Sequence, residues 1–348
     1  MILAGLAVAV SVSVIAPRLL PHPLQFGPAP PVPVRTSPPP LPETGGGRWL
    51  SGAFIGSGTD MAAIERMGRW RGRPLDVLTV YPEYTTWAGI TSSTWLFTDL
   101  ADFKGTLVYG LPIVPTEDIG TLADVAAGRY DDMFATLADQ MREGGRGDTI
   151  VRVGWEANGL WSTWGASSST ADEFRAAARR VMEVMSQRTP TLIMEFDIAC
   201  STPLEGTDNR LAALTELYPG DDVTDVIGCD HYDNYGWQST TPEGWAAALR
   251  SPDSPGLQDV ADFARERGKK FAVPEWGLDS SQHGAGDNPR FIALMHEFFT
   301  ANSDVLLLES YFDEPMTYIG SSLLPDAEGV SQNPRAAEEY VRLWSNPR

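Results

Sequence analysis

Residues 149–159 read TIVRVGWEANG, a β-rich run that ends in a tryptophan, a glutamate and a turn. Comparable runs recur along the chain, and helical stretches separate them. The eight predicted strands are residues 51–56, 76–81, 106–114, 149–155, 191–198, 223–230, 270–274 and 305–311. Strand and helix alternating eight times predict one α/β domain over residues 48–348, a (β/α)8 TIM barrel. An open doubly wound sheet is the alternative, but it normally carries a glycine-rich phosphate loop that this sequence lacks.

The clearest predicted helix covers residues 169–187. Ser169 or Thr170 can cap its start, and Asp172 and Glu173 stand in the first turn, where acidic side chains stabilise a helix. This helix follows the fourth strand, as the barrel pattern requires.

The first 47 residues differ from the rest of the chain. Residues 2–16 are uncharged and apolar or small, which fits a signal peptide or a membrane anchor. Residues 17–47 are rich in proline, which favours extended polyproline II and predicts a linker outside the fold. The sequence therefore predicts an exported protein, secreted or held at the cell surface by an N-terminal tether.

Composition excludes several classes of function. The formal charge of −20 argues against nucleic acid as a partner, because such binding needs a basic surface. Four His, two Cys and no CxxC or HExxH pattern predict no metal site, and the lack of nucleotide-binding motifs predicts no cofactor. Eleven Trp, ten Tyr and thirteen Phe suit flat uncharged ligands such as sugars.

Two glutamates stand where chemistry occurs in a barrel, at the carboxyl ends of strands. Glu156 follows the fourth strand and Glu275 ends the seventh, each beside tryptophan. Because side chains alternate along a strand, we expect Arg152 and Glu156 to share a face, as do Asp230 and Tyr232. Hydrolysis of a glycosidic bond needs two such carboxyl groups, one to protonate the leaving oxygen and one to attack or to activate water.

The segments VRVGWEANGLWSTWG, FAVPEWGL and VTDVIGCDHYD resemble glycoside hydrolase family 26, the retaining β-mannanase family of clan A. The resemblance spans about residues 48–345. It implies that Glu156 is the acid/base, that Glu275 is the nucleophile and that Tyr232 hydrogen-bonds the nucleophile. It further implies that Trp161 and Trp164 line sugar subsites. Mannanases of the family usually have His before the acid/base, and here that residue is Trp155, which leaves the sugar open.

The remaining candidates for substrate contact are polar and aromatic residues that follow the strands. Arg152 either holds a carboxylate of the site or belongs to a salt bridge of the barrel. The others are Glu83, Trp87, Trp155, Asn158, Asp230, Trp276 and Tyr311.

These residues predict a secreted, monomeric endo-β-glycanase that cleaves β-mannan or a related β-glucan or xylan by double displacement. The alternatives are a hydrolase of an envelope or capsular glycan, and a glycan-binding barrel without turnover. Cys200 and Cys229 end neighbouring strands within disulfide reach, but the sequence leaves open whether they are bonded.

Overall fold

The computed structural model describes residues 31–33, 35–43, 49–56, 60–315 and 319–345. Eight parallel strands close into a barrel in which each strand pairs with its neighbours in chain order and β1 pairs with β8. The strands are β1 (Leu50–Phe54), β2 (Val77–Val80), β3 (Thr106–Leu111), β4 (Ile150–Val153), β5 (Ile193–Ala199), β6 (Val226–Tyr232), β7 (Lys270–Gly277) and β8 (Leu306–Phe312). The predicted (β/α)8 barrel is confirmed.

Helices fill the connections between the strands and the region after β8. They are α1 (Met61–Trp70), α2 (Trp87–Ser92), α3 (Trp95–Thr98), α4 (Leu122–Ala126), α5 (Asp131–Glu143), α6 (Ala171–Arg188), α7 (Ala212–Thr215), α8 (Gly236–Thr240), α9 (Pro242–Leu249), α10 (Leu257–Glu266), α11 (Pro289–Ala301) and α12 (Pro334–Trp344). The predicted helix at residues 169–187 is α6. Thr170 precedes it, but neither its side chain nor that of Ser169 caps the helix, because Thr170 Oγ1 accepts a hydrogen bond from the backbone of Ser167.

The barrel interior changes from apolar to polar along its axis. At the amino ends of the strands it is closed by one apolar layer: Leu50, Val77, Val108, Ile150, Ile193, Val226, Ala272 and Leu308. Toward the carboxyl ends, buried polar side chains replace this layer. Because apolar side chains fill the barrel beneath these polar groups, the interior is packed and is not a pore. We call the buried polar layer the floor of the site, and the strand carboxyl ends around it the mouth of the barrel.

Part of the proline-rich segment that the sequence predicts to be a linker contacts the barrel. The guanidinium of Arg35 donates 2.9 Å to the carbonyl oxygen of Leu192 and forms an ion pair with Asp225. Leu192 and Asp225 directly precede β5 and β6, so this contact lies at the end of the barrel opposite the strand carboxyl ends. Val32 packs against the apolar core.

The predicted signal peptide or anchor at residues 1–16 lies outside the described residues. Within the part of the chain that is described, no helix combines the length and the apolar character needed to cross a bilayer.

A disulfide joins Cys200 and Cys229, which lie 29 residues apart in the sequence with their Cα atoms 5.5 Å apart. Cys229 lies in β6, and Cys200 directly follows β5. The bond therefore ties the carboxyl end of β5 to the neighbouring strand β6, and both sulfurs lie in the apolar core.

Candidate active site

Arg152 on β4 is the centre of the polar floor and is fully buried. Its Nη1 donates 2.7 Å to Glu275 Oε1 and 2.8 Å to the hydroxyl of Tyr81. Its Nη2 donates 2.6 Å to Asp230 and 3.1 Å to Asp197. Of the two roles left open by the sequence, Arg152 therefore fills both, because it joins carboxylates of three strands and binds Glu275 directly.

Glu275 on β7 lies in the floor and is only 7% exposed. Tyr232 on β6 donates 2.8 Å to its Oε2, while Tyr81 donates to its Oε1. Burial acts to raise the pKa of Glu275, but the charge of Arg152 and the hydrogen bonds from Tyr81, Arg152 and Tyr232 together lower it below its usual range. Glu275 is thus ionised across the neutral range.

Glu156 lies beyond β4 and not within it. The strand ends at Val153, and both Gly154 and Glu156 have positive φ, 61° and 52°. The expectation that Arg152 and Glu156 share one face of a strand is therefore wrong, because the backbone leaves the extended conformation between them. The turn still brings Glu156 to the mouth, where Trp161 Nε1 donates 2.7 Å to its Oε2.

The environment of Glu156 keeps its carboxyl group protonated at neutral pH. Burial and the charge of Glu275 raise its pKa, the hydrogen bond from Trp161 opposes them, and the resulting pKa is about 8. Two carboxyl groups that interact in one site with pKa values on either side of neutrality form an acid and a base at the same pH.

Aromatic rings form one wall beside Glu156. The ring of Trp155 is partly buried and lies 5.1 Å from Tyr81, 6.2 Å from Tyr84 and 4.4 Å from Trp164, centre to centre. Trp161 is 63% exposed next to the acid. Trp155 and Trp161 are therefore the predicted aromatic residues that a ligand can reach from the mouth.

Trp276 and Tyr311 do not face the mouth, which corrects the prediction that they contact substrate. Both are fully buried, since neighbouring residues of a strand point to opposite faces and Glu275 already points inward. Trp276 Nε1 donates 2.7 Å to Glu309, and the Tyr311 hydroxyl donates 2.5 Å to the carbonyl oxygen of Ser321. These two residues belong to the layer between strands and helices.

Trp164, Asn158 and Trp87 are also buried, so the prediction of direct sugar contact does not agree with their positions. Trp164 is 2% exposed and donates 2.8 Å to the carbonyl oxygen of Trp155, which it supports from behind. The Asn158 side chain is hydrogen-bonded to both backbone groups of Ala199.

Two residues that the sequence predicts to contact substrate, Trp87 and Glu83, follow β2. Trp87 stacks on Tyr130 with ring centres 3.9 Å apart. Glu83 is exposed, but its carboxylate accepts a hydrogen bond of 2.6 Å from the backbone of Thr85, a contact within its own loop. Neither residue shares a hydrogen bond with the floor of the mouth.

Sequence reasoning missed two groups of residues. Tyr81 was not a candidate, although it follows β2 two positions after the inward-facing Thr79 and alternation places it at the mouth. Tyr235 and Trp237, in the segment after β6, are about half exposed. Their signal in the sequence is an aromatic pair directly after a strand that carries polar site residues.

Among the described residues no group of three or more His, Cys, Asp or Glu side chains is arranged to hold a metal ion. The prediction that the protein needs no cofactor stays a prediction.

A (β/α)8 barrel that holds one glutamate with a raised pKa after β4 and one with a lowered pKa on β7 fits the two-carboxyl chemistry of glycoside hydrolases. The chain belongs to glycosyl hydrolase family 26, whose family model matches residues 84–273. The match includes Glu156 but ends two residues before Glu275.

The chain is also similar to a curated protein with a named activity. A mannan endo-1,4-beta-mannosidase of Bifidobacterium adolescentis is 24% identical over 207 residues, which cover 58% of this chain and 20% of that protein. The chain thus spans about one fifth of the length of that curated relative.

Two solved structures share the fold. The catalytic domain of a family 26 endo-beta-1,4-mannanase of Bacillus sp. JAMB-750 has a TM-score of 0.63 at 15% identity, with 87% of each chain covered. A modular endo-beta-1,4-mannanase of Cellulomonas fimi has a TM-score of 0.63 at 18% identity, covering 86% of this chain and 71% of that one. At such identities the likeness supports the barrel alone.

Proposed function

We propose that the protein is a retaining endo-β-glycanase with Glu275 as nucleophile and Glu156 as general acid and base. The observation that carries this proposal is the opposite displacement of the two pKa values, downward for Glu275 and to about 8 for Glu156. Retaining hydrolysis begins with one ionised and one protonated carboxyl group. Membership of glycosyl hydrolase family 26 supports the same assignment.

The first step forms a covalent bond between a Glu275 oxygen and the anomeric carbon, while the bond from that carbon to the leaving oxygen breaks. Glu156 transfers its proton to the leaving oxygen. Arg152, Tyr81 and Tyr232 hold the Glu275 carboxylate so that its attacking oxygen is oriented before the substrate arrives.

The second step hydrolyses the glycosyl-enzyme. Glu156, now ionised, takes a proton from water, the water oxygen attacks the anomeric carbon, and the bond to Glu275 breaks. Two inversions give a product with the original anomeric configuration. No metal or cofactor is needed in either step.

Cleavage within a polymer is supported by aromatic rings on both sides of the mouth. Tyr84 follows β2, Trp161 follows β4, and Tyr235 and Trp237 follow β6, all with substantial exposure. β2 and β6 stand opposite each other in the barrel order. Because aromatic faces bind sugar rings by stacking, a glycan chain can lie across the mouth with rings bound on either side of the Glu pair.

β-Mannan is the first candidate substrate, since the family 26 relatives described above carry that activity in their names. A β-glucan or a xylan is the second candidate. It is favoured by Trp155, whose indole forms part of the wall beside Glu156 where mannanases of the family usually have His. A larger apolar side chain there changes the shape of the site around the cleaved bond.

Export is part of the proposal, and the Cys200–Cys229 disulfide supports it, because such bonds persist in oxidising compartments. Whether residues 1–16 are cleaved or anchor the protein is a separate question that N-terminal sequencing of the natural protein answers.

A panel of soluble polysaccharides tests the function: β-mannan, mixed-linkage β-glucan, xylan and purified envelope glycans. NMR during the first minutes of digestion records the anomeric configuration of new reducing ends. We expect internal cleavage of one β-glycan with retained configuration, and no cleavage by Glu275→Ala as the matched control. An inverted product, or equal release by Glu275→Ala, contradicts the proposed mechanism.

A further inference from the structure

Glu156 has a backbone conformation that its side chain disfavours. Its φ of 52° lies in the left-handed region, and Ser201 is the other non-glycine residue of the described chain with positive φ. For a residue with a Cβ this conformation is sterically unfavourable, so neighbouring groups must hold it. The position of the Glu156 carboxyl group depends on those groups.

Strand β5 and the segment after it hold the turn that carries Glu156. The Glu156 N–H donates 2.8 Å to Asp197 Oδ1, and the Ala157 N–H donates 3.1 Å to the Asp197 carbonyl oxygen. Asn158 fixes the next position through hydrogen bonds of 2.8 and 3.0 Å to the backbone of Ala199. In the described residues, Asp197 is the one side chain that binds the backbone of Glu156.

The same oxygen of Asp197 also contacts the guanidinium that binds the nucleophile. Arg152 Nη2 donates 3.1 Å to Asp197 Oδ1, while Arg152 Nη1 donates 2.7 Å to Glu275 Oε1. A single buried carboxylate oxygen therefore connects the backbone of Glu156 with the group that holds Glu275.

We propose that Asp197 is a positioning residue that fixes the acid/base Glu156 in its left-handed conformation and aligns it with the Arg152–Glu275 pair. This inference rests on the proposed function, because it assigns a role relative to the acid/base. Asp197 is fully buried and is hydrogen-bonded to Arg152 and to the Glu156 backbone, so it acts through Glu156.

A role of Asp197 solely as the counter-charge of Arg152 leaves its hydrogen bond to the Glu156 backbone unexplained. Arg152 already has closer carboxylates in Asp230 at 2.6 Å and Glu275 at 2.7 Å. Removal of Asp197 therefore leaves the guanidinium paired but leaves the Glu156 backbone without its side-chain acceptor. Loss of a counter-charge of Arg152 would disturb the nucleophile and so affect every substrate, whereas loss of a positioning contact would disturb proton donation and so affect mainly substrates with a poor leaving group.

The test compares Asp197→Ala, Asp197→Asn and Glu195→Gln on two substrates. Asparagine keeps an acceptor oxygen for the Glu156 N–H, whereas alanine removes it. Glu195 is the matched control, a buried carboxyl group of β5 two residues away whose oxygens have no hydrogen-bond partner in the described structure. One substrate is an aryl glycoside with a good leaving group, and the other is the polysaccharide, whose leaving group needs the acid.

We expect Asp197→Ala to lose about 100-fold in kcat/KM on the polysaccharide and less than about tenfold on the aryl glycoside, the pattern of a weakened general acid. Asp197→Asn should recover most of the loss, and Glu195→Gln should keep the wild-type ratio between the substrates. Equal losses on both substrates, a ratio unchanged in Asp197→Ala, or no recovery by asparagine would overturn the inference.

If Asp197→Ala does not fold, Asp197→Ser decides, because its hydroxyl keeps a polar group in the site but is one bond too short to replace the Asp197 Oδ1 that accepts from the Glu156 N–H. Asp197→Ser should lose more activity on the polysaccharide than on the aryl glycoside, while Asp197→Asn keeps most of both. Equal losses of Asp197→Ser on the two substrates overturn the inference. Failure of wild-type protein to cleave either substrate would instead refute the proposed function, so the two failures are distinguishable.

Discussion

Replacement of Tyr232 by phenylalanine tests how the site keeps Glu275 ionised. Tyr232 supplies the hydrogen bond of 2.8 Å to Glu275 Oε2, and in the described structure no other group donates to that oxygen. A hydrogen bond to a charged group contributes about 1.5–3 kcal/mol, and one pKa unit corresponds to about 1.4 kcal/mol. Tyr232→Phe should therefore remove about 1.5–3 kcal/mol of stabilisation from the ionised carboxylate and raise the pKa of Glu275.

The nucleophile must be ionised, so a higher pKa moves the acid limb of kcat/KM to higher pH, and activity is lost first at low pH. The assay is the pH profile of kcat/KM on an aryl glycoside, which reports on the free enzyme. Phenylalanine keeps the ring contact with Phe312 at 5.8 Å, so the fold should persist. Tyr218→Phe, which removes a hydroxyl bonded to Asp221, is the control without a shift. An acid limb that stays in place or moves to lower pH in Tyr232→Phe would refute the reasoning.

Three further outcomes are expected. The alkaline limb of kcat/KM on polysaccharide should lie near the Glu156 pKa of about 8, because activity requires the proton of Glu156. Glu156→Ala should lack this limb on an activated aryl glycoside, and a limb that the variant retains contradicts the role of Glu156 as general acid. Replacing Cys200 and Cys229 by serine opens a link across 29 residues and should lower the free energy of unfolding by about 3–4 kcal/mol in urea titrations, whereas an unchanged midpoint would show that the bond does not stabilise the barrel. Arg35→Ala leaves the buried Asp225 without its cation and should lower the free energy of unfolding by about 3 kcal/mol in thermal unfolding. Its kcat/KM should stay at the wild-type value, because the ion pair lies at the end of the barrel opposite the site. A loss of activity with unchanged stability would contradict this placement.

The barrel and the two glutamates could be predicted from sequence because they depend on local patterns. Each strand is a short β-rich run before a turn, and strict alternation correctly placed Asp230 and Tyr232 on the inner face. The same rule, applied from Glu275 outward, would have excluded Trp276 from the mouth. Its adjacency to a glutamate suggested a sugar contact, but adjacent residues of a strand face opposite ways.

Other features depend on contacts between distant segments and could not be predicted. The left-handed conformation of Glu156 is held by Asp197, 41 residues away, and no local pattern indicates that hydrogen bond. The position of Arg35 similarly depends on Asp225, an acidic residue before a strand 190 residues later. Proline content correctly predicts the lack of regular structure at residues 35–43 but says nothing about what those residues contact.

The identity of the nucleophile is measured most directly by trapping the covalent intermediate. The protein is incubated with a 2-fluoro aryl glycoside of the sugar found by the polysaccharide panel, digested, and sequenced by tandem mass spectrometry. A fluorine at C2 slows breakdown of the glycosyl-enzyme, so the labelled peptide survives. We expect one glycosyl group on Glu275, in the peptide that contains AVPEWGL, and faster loss of the label when azide or an acceptor sugar is added. A label on Glu156 or on another carboxylate would contradict the assignment of Glu275 as the nucleophile.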